Sequence, residues 1–236
     1  MNTPSLKAAL LGRPARLATV GLMAVLLGAC SSLLPKPTPA PSFYALNAGP
    51  APARPAASAA GAASPRAPTL VVEAPQAAAG YDSARIVYTR QPHQLEAFAH
   101  SEWVDTPARM LWPMLVDTLS AGGAFRGVVG TLSAASTELR LSTEIVRLQQ
   151  EFGAQGSSVR FTLRASLVDG VTRQLLATRD FEAVAEAATA DAQGGVLAAD
   201  RAVRTVLQAL ARFCADTSAA WLGAAAHRQP ASSPLR

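Results

Sequence analysis

Cysteine and histidine are scarce in this sequence of 236 residues, which holds two cysteines and three histidines. The histidines are His93, His100 and His227, and they show no H-x-x-x-H spacing of the kind that sets two metal ligands on one helix face. His100 and Glu102 would share a strand face, but no third ligand is evident beside them. G-x-S-x-G, Walker A and G-x-G-x-x-G motifs are absent too. We therefore expect no metal, no bound cofactor and no catalytic residue.

Acidic residues are absent from the first 29 residues, which carry three basic residues and end in 13 uncharged ones, 17–29. A basic stretch followed by an apolar one is typical of a secretory signal peptide. The apolar stretch closes with Leu27-Gly28-Ala29-Cys30, which reads as a lipobox: small residues before a cysteine suit a lipoprotein signal peptidase. We expect cleavage after Ala29, with diacylglycerol on the Cys30 thiol and an acyl chain on its new amino group.

Two alternatives to a lipoprotein signal stay open, an uncleaved transmembrane anchor and a soluble secreted product. A helix of 13 residues spans about 20 Å, less than the hydrocarbon core of about 30 Å. Continuing the apolar run through 31–34 brings it closer to that length. The lipobox is the reason for favouring a lipoprotein.

Loss of the signal would change both the charge and the cysteine inventory. The formal charge of +5 includes three signal-peptide cations, so residues 30–236 carry about +2, which gives no reason to expect nucleic acid as a partner. With Cys30 acylated, Cys214 has no disulfide partner. It falls on the apolar stripe of a predicted helix, so a buried inert thiol is favoured over a redox or covalent site.

Two stretches of low complexity flank a single predicted domain, residues 43–222, and a third lies inside it. Residues 30–42 form a lipidated tether with four prolines, which at about 3.1 Å per residue could hold a domain some 35 Å from the lipid. Residues 47–68 are rich in Ala and Pro and predict a disordered loop inside the domain. Residues 223–236 predict a flexible tail.

Hydrophobic periodicity predicts an α+β fold. Asp105-Thr106-Pro107 starts a helix that reaches about Ser120 and is closed by Gly122-Gly123, with Pro113 expected to kink it or to delay its regular part beyond Ala108. A second helix is expected over 191–221, packed on a sheet, with a coiled coil as the alternative. Strands and extended segments are expected at 43–46, 69–73, 85–90, 95–104, 125–129, 138–148, 158–168 and 174–183.

Three side chains are candidate contacts with a partner. Trp112 lies off the main apolar stripe of its helix, which indicates exposure or burial in a partner, whereas Trp103 is expected in the core. Arg85 and Arg90 flank a strand. They are either solvated edge charges or contacts for phospholipid head groups.

The block SEWVDTPARML at 101–111, with Phe125-Arg126 after the helix, resembles the ABC-type transport auxiliary lipoprotein family. The aromatic run at 43–46, Tyr81-Asp82 and the run at 86–88 are similar to further landmarks of that family. The resemblance covers roughly 43–221 and departs from the family at 47–68 and Pro113. It implies a mixed or antiparallel sheet with two helices on one face, similar to the N-terminal domain of TolB.

The resemblance also implies a non-enzymatic auxiliary role beside ABC or MCE-type lipid transporter subunits, with phospholipid and a homo-oligomer as further open partners. Where the residue after the lipidated cysteine sorts lipoproteins, Asp commonly retains them in the inner membrane. Ser31 in that position predicts the periplasmic face of the outer membrane. The alternative is a stand-alone envelope lipoprotein that activates or assembles a cell-wall synthase or an outer-membrane barrel.

Overall fold

The computed structural model describes residues 40–47, 67–130 and 137–228. From Pro41 onward these belong to one structural unit, Pro41–Arg236. The lipobox Leu27-Gly28-Ala29-Cys30, Ser31 and most of the predicted tether and loop lie outside the described residues. The described part holds nine strands and two helices: β1 (Ser42–Tyr44), β2 (Thr69–Val72), β3 (Gln76–Ala77), β4 (Arg85–Thr89), β5 (Glu96–Trp103), α1 (Pro107–Ala121), β6 (Gly127–Gly130), β7 (Leu139–Gly153), β8 (Gly156–Asp169), β9 (Leu175–Glu186) and α2 (Ala192–Arg228).

Strand β7 is the central strand of a nine-stranded mixed sheet. One edge of β7 pairs with β8 in antiparallel register along its whole length, and β8 pairs in the same way with β9. Along its other edge, β2, β3 and β4 follow one another, each parallel to β7. Outside them lie β6 beside β2, β5 beside β4, and β1 parallel to β5. The predicted α+β class with a mixed sheet is confirmed.

Alternation of apolar and polar residues gives the sheet one dry and one wet face, because neighbouring side chains of a strand point to opposite sides. The inward residues of β7 and β8 are almost fully buried and form the centre of the core: Leu139, Leu141, Ile145, Phe161, Leu163, Ala165 and Leu167. A bulge between Ile145 and Arg147 shifts the register by one residue. Leu148 therefore returns to the dry face three positions after Ile145 rather than two.

Both helices pack on the dry face and contact each other, α1 over β2, β3 and β6, and α2 over β8 and β9. The stripe of α2 from Val196 to Leu210 is buried, as is Cys214, whereas Arg201 and Arg204 are exposed. Burial raises the pKa of the Cys214 thiol to about 12. The thiol therefore stays protonated and unreactive at physiological pH. Trp103 is also buried in the core, as predicted.

The helix ends differ from the predictions in three ways. Thr106 is the N-cap of α1 but makes no side-chain capping bond, and Asp105 instead pairs with Arg109 at 3.1 Å. The helix is continuous from Pro107 through Pro113, so the predicted delay beyond Ala108 does not occur, and the alternative, a kink at Pro113, stays a prediction. Helix α2 continues to Arg228, so residues 223–228 are helical rather than part of a tail. Alanine at three of these six positions favours the extension.

Ion pairs run across the strands of the wet face. Arg164 stands opposite Glu144 on β7 and Asp180 on β9, with nitrogen–oxygen distances of 3.6 and 2.8 Å. Arg160 lies diagonally to its two partners, Glu151 on β7 at 2.9 Å and Glu182 on β9 at 2.6 Å. Opposite charges in directly facing positions favour this register. Because these side chains are only 27–49% exposed but still reach solvent, each pair adds modest stability at most.

Asp169 ties the far end of α2 to the turn between β8 and β9. Its Oδ1 accepts hydrogen bonds from the backbone amides of Val171 (2.9 Å) and Thr172 (2.8 Å). Its Oδ2 accepts a side-chain hydrogen bond from the Trp221 indole (2.9 Å). These donors, the Thr172 amide above all, hold the pKa of the Asp169 carboxyl below its ordinary value. The ionised form is therefore the one that stabilises this junction.

An Asp169→Ala variant is expected to lose about 1–3 kcal/mol of unfolding free energy at pH 7, because three donors lose a buried acceptor. A carboxyl with a lowered folded-state pKa stabilises fully above its unfolded-state pKa and loses that effect as pH falls through the folded value. The difference from the parent should thus be complete above about pH 5 and shrink below about pH 4. Urea unfolding across this range measures it. The exposed Asp117→Ala is the matched control; an equal loss in both variants would contradict the expectation.

Candidate functional site

An aromatic cluster lies at the end of the sheet where β4 and β7 end and β5 begins. The ring centroids of Tyr88 and Phe98 are 4.6 Å apart, and Phe152 lies 5.5 Å from Tyr88 and 6.4 Å from Phe98. These distances are those of favourable aromatic pairs. Tyr88, Arg90, Glu96, Phe98 and Phe152 are called the aromatic corner below.

Strand register brings these rings together. Tyr88 is in register with Gln150 on β7, and Phe152 lies two residues further along that strand, hence on the same face. Gln150 Nε2 donates to the backbone oxygen of Asp191 at 3.2 Å, one residue before α2. The aromatic corner therefore lies on the helix-bearing face, beside the start of α2.

The positively charged guanidinium of Arg90 lies over two rings of the cluster. Its guanidinium carbon is 5.1 Å from the centroid of the Tyr88 ring and 5.6 Å from that of Phe152, within range of a cation–π contact. The side chain is exposed, and it forms no ion pair with any residue in 40–47, 67–130 or 137–228. The corner thus presents a cation on an aromatic base.

Glu96 is the one carboxylate of the corner, and it is hydrogen-bonded to Tyr88. The Tyr88 hydroxyl donates to Glu96 Oε2 at 2.8 Å. This hydrogen bond, together with burial and the nearby carboxylate, raises the Tyr88 pKa, against a smaller opposing effect of Arg90. Tyr88 therefore remains a neutral donor at physiological pH.

The other two predicted contact residues lie elsewhere. Arg85 is exposed at the opposite end of β4, paired in register with Glu102 on β5. Trp112 is half-buried, and its indole donates to the backbone oxygen of Val72 at 3.3 Å. Its ring also packs so closely on Gly130 that a Cβ there would lie 2.7 Å from it. Of the three, only Arg90 belongs to the aromatic corner; a partner role for each stays a prediction.

A polar groove of about 300 Å³ opens on the wet face, where β2 gives way to β3 along β7. Glu73, Glu144 and Arg164 line it together with small polar residues. Arg164 already contacts two carboxylates, and Glu73 contacts Arg140 at 3.0 Å. The charges of the groove are thus paired within the protein, unlike that of Arg90.

Within the described ranges, no three His, Cys, Asp or Glu side chains come together in a way that could hold a metal ion. His93 follows β4 in a turn with φ of 68°, and His100 is exposed on β5. Neither α1 nor α2 combines the length and the apolar character that crossing a membrane requires.

Comparisons with known proteins identify one family and several solved structures with a similar fold. The model of the family described as "ABC-type transport auxiliary lipoprotein component" matches residues 44–211. A crystal structure of a Xanthomonas campestris protein aligns with a TM-score of 0.61 and 21% identity, covering 65% of this chain and 87% of that one. A second, described as an uncharacterized protein, gives 0.58 and 16%, covering 75% and 99%. At these identities the two structures show the fold alone. No curated protein matches.

Proposed function

Because the chain belongs to the ABC-type transport auxiliary lipoprotein family, we propose that it is a non-enzymatic subunit of an ABC transport system of the MCE type that moves phospholipid. The observation that carries this proposal is the family match over residues 44–211, which spans nearly all of the described fold. The α+β domain supplies a rigid scaffold with exposed surfaces for docking.

The proposed anchor is Cys30, which carries diacylglycerol and an N-acyl chain after cleavage behind Leu27-Gly28-Ala29. Ser31 directs the product to the outer membrane, where the domain faces the periplasm. Several acyl chains on one residue make such anchoring effectively permanent. The 31–42 tether lets the domain search for a transporter while it stays at high local concentration near the membrane.

Affinity purification of the acylated protein from cross-linked envelopes tests this role. The permease, ATPase and MCE subunits of one transporter are expected to be enriched over a mock purification. The same purification with an unrelated outer-membrane lipoprotein is the control for non-specific capture. Enrichment of cell-wall synthases or barrel-assembly proteins alone would favour the stand-alone activator instead.

A further inference from the structure

We propose that the aromatic corner rests on the head-group region of the membrane that holds the acyl chains of Cys30. This inference rests on the proposed lipid anchor and adds the orientation of the domain. The occupant is a phospholipid surface, with the phosphate groups as partners of Arg90 and the interfacial layer as the environment of the rings.

The chemistry of the corner fits a membrane interface. Aromatic rings concentrate at the head-group level, where one part of the side chain is apolar and another is wet. Phe98 and Phe152 are half-buried, and Leu95, directly before β5, is 51% exposed. An apolar surface of this kind gains from partial burial among lipids.

The charge of Arg90 forms no ion pair in the part of the chain that the structure describes. Arg160 and Arg164 each contact two carboxylates, whereas Arg90 lies over the rings of Tyr88 and Phe152. Arg179, over the ring of Phe181, likewise forms no ion pair there, so the cluster of three rings beneath Arg90 is what distinguishes the corner. A guanidinium binds phosphate oxygens in a bidentate manner, and it keeps its charge at every physiological pH. Glu96 keeps its negative charge while it accepts the Tyr88 hydroxyl, so the corner is neutral in formal charge. Arg90, which forms no ion pair with Glu96, is the group that can donate to lipid phosphates.

The chain is long enough to permit this contact. Twelve peptide units join Cys30 to Ser42, which span at most about 40 Å. β1 runs parallel to β5 with Ser42 beside Ser101, so the first residue of β1 points back toward the start of β5. From Ser101 to Glu96 is about 17 Å along the strand. A weak contact suffices, because the anchor keeps the domain close to the lipids.

The turn between β8 and β9 provides a matched control surface. Val171 in this turn is 78% exposed, more than Leu95, yet it lies beside the first residue of β7 rather than the last. The length of β7 separates the two ends by roughly 45 Å. If the corner touches the membrane, Val171 points away from it.

Fluorescent labels at these two positions test the orientation. The full-length acylated protein, carrying either Leu95→Cys or Val171→Cys, is labelled with nitrobenzoxadiazole and reconstituted in phosphatidylethanolamine–phosphatidylglycerol vesicles. The fully buried Cys214 should not react with the label. Nitroxide-bearing lipids are expected to quench the label at 95 several-fold more strongly than at 171. An Arg90→Glu substitution in the Leu95→Cys protein should remove most of this difference, because it places an anion against the lipid phosphates.

Flotation of the vesicles distinguishes a failure of the corner contact from a failure of the lipid anchor. Equal quenching at both positions in protein that floats with the vesicles would overturn the corner contact and leave the anchor intact. Protein that carries no acyl chain and does not float would overturn the anchor, and the corner contact with it. Circular dichroism of each variant shows whether the fold is retained, and an Arg90→Lys protein that keeps the difference would support an electrostatic contact.

Discussion

A Cys30→Ala variant is expected to lose all palmitate incorporation and to leave the membrane-anchored pool. Cys30 is the proposed acceptor of both diacylglycerol and the N-acyl chain, and the lipoprotein signal peptidase needs a lipidated cysteine at the cleavage site. Without it, the chain should keep its signal or be released as a soluble form. Metabolic labelling followed by fractionation measures both effects. Because the anchor supplies the local concentration for docking, complementation of a deletion strain should fail as well.

Cys214→Ala provides the matched control. Its thiol is fully buried and packs in the core, so the variant should lose on the order of 1–2 kcal/mol of stability while palmitate labelling stays at the parental level. Labelling that persists in the Cys30→Ala protein would contradict lipidation at Cys30. Labelling that vanishes in both variants would point to failed export rather than to the acceptor residue.

Replacing Ser31 with aspartate is expected to move the protein from the outer to the inner membrane without changing its folding or acylation. In hosts that sort lipoproteins by this residue, aspartate commonly retains them in the inner membrane. The variant should then fail to complement a deletion, because in the proposed arrangement the domain links the transporter to the outer membrane. Density-gradient separation of the two membranes measures the relocation.

Ser31→Thr, which adds no charge, is the control and should remain in the outer membrane. A relocated aspartate variant that complements fully would show that the protein does not act between the two membranes. In that case the stand-alone activator gains support. Loss of complementation without relocation would instead indicate that Ser31 has another role.

Long strands were predictable because their core-facing positions repeat every two residues. The alternation over 138–148 and 158–168 placed β7 and β8 and their inward faces correctly. The predicted strand ended at 148, whereas β7 continues to Gly153. The bulge near Val146 shifts the alternation of inward and outward residues, and the polar pair Gln149-Gln150 interrupts the apolar pattern beyond it. The two-residue strand β3 is too short to leave any periodic signal.

The aromatic corner could be predicted only in part. The charge of Arg90 at the end of a strand was evident in the sequence, and Tyr88 is close to it along the chain, but its second ring partner, Phe152, is distant. Phe152 lies 62 residues beyond Arg90, and only the parallel pairing of β4 with β7 brings them together. Strand register over such distances is set by the packed sheet and not by local sequence. The position of Trp112 on its helix predicted exposure or a partner contact. Its indole donates a hydrogen bond to the backbone oxygen of Val72 within the domain.

The central claim is that this lipoprotein works as an auxiliary subunit of an ABC lipid transporter. The most direct test measures ATP-dependent transfer of a fluorescent phospholipid between two vesicle populations. One population carries the ABC transporter that copurifies with the chain, and the other carries the acylated chain itself. We expect transfer, in either direction, that requires ATP and falls to background when the chain is omitted. Transfer at the full rate without the chain, or none with every component present, would contradict it.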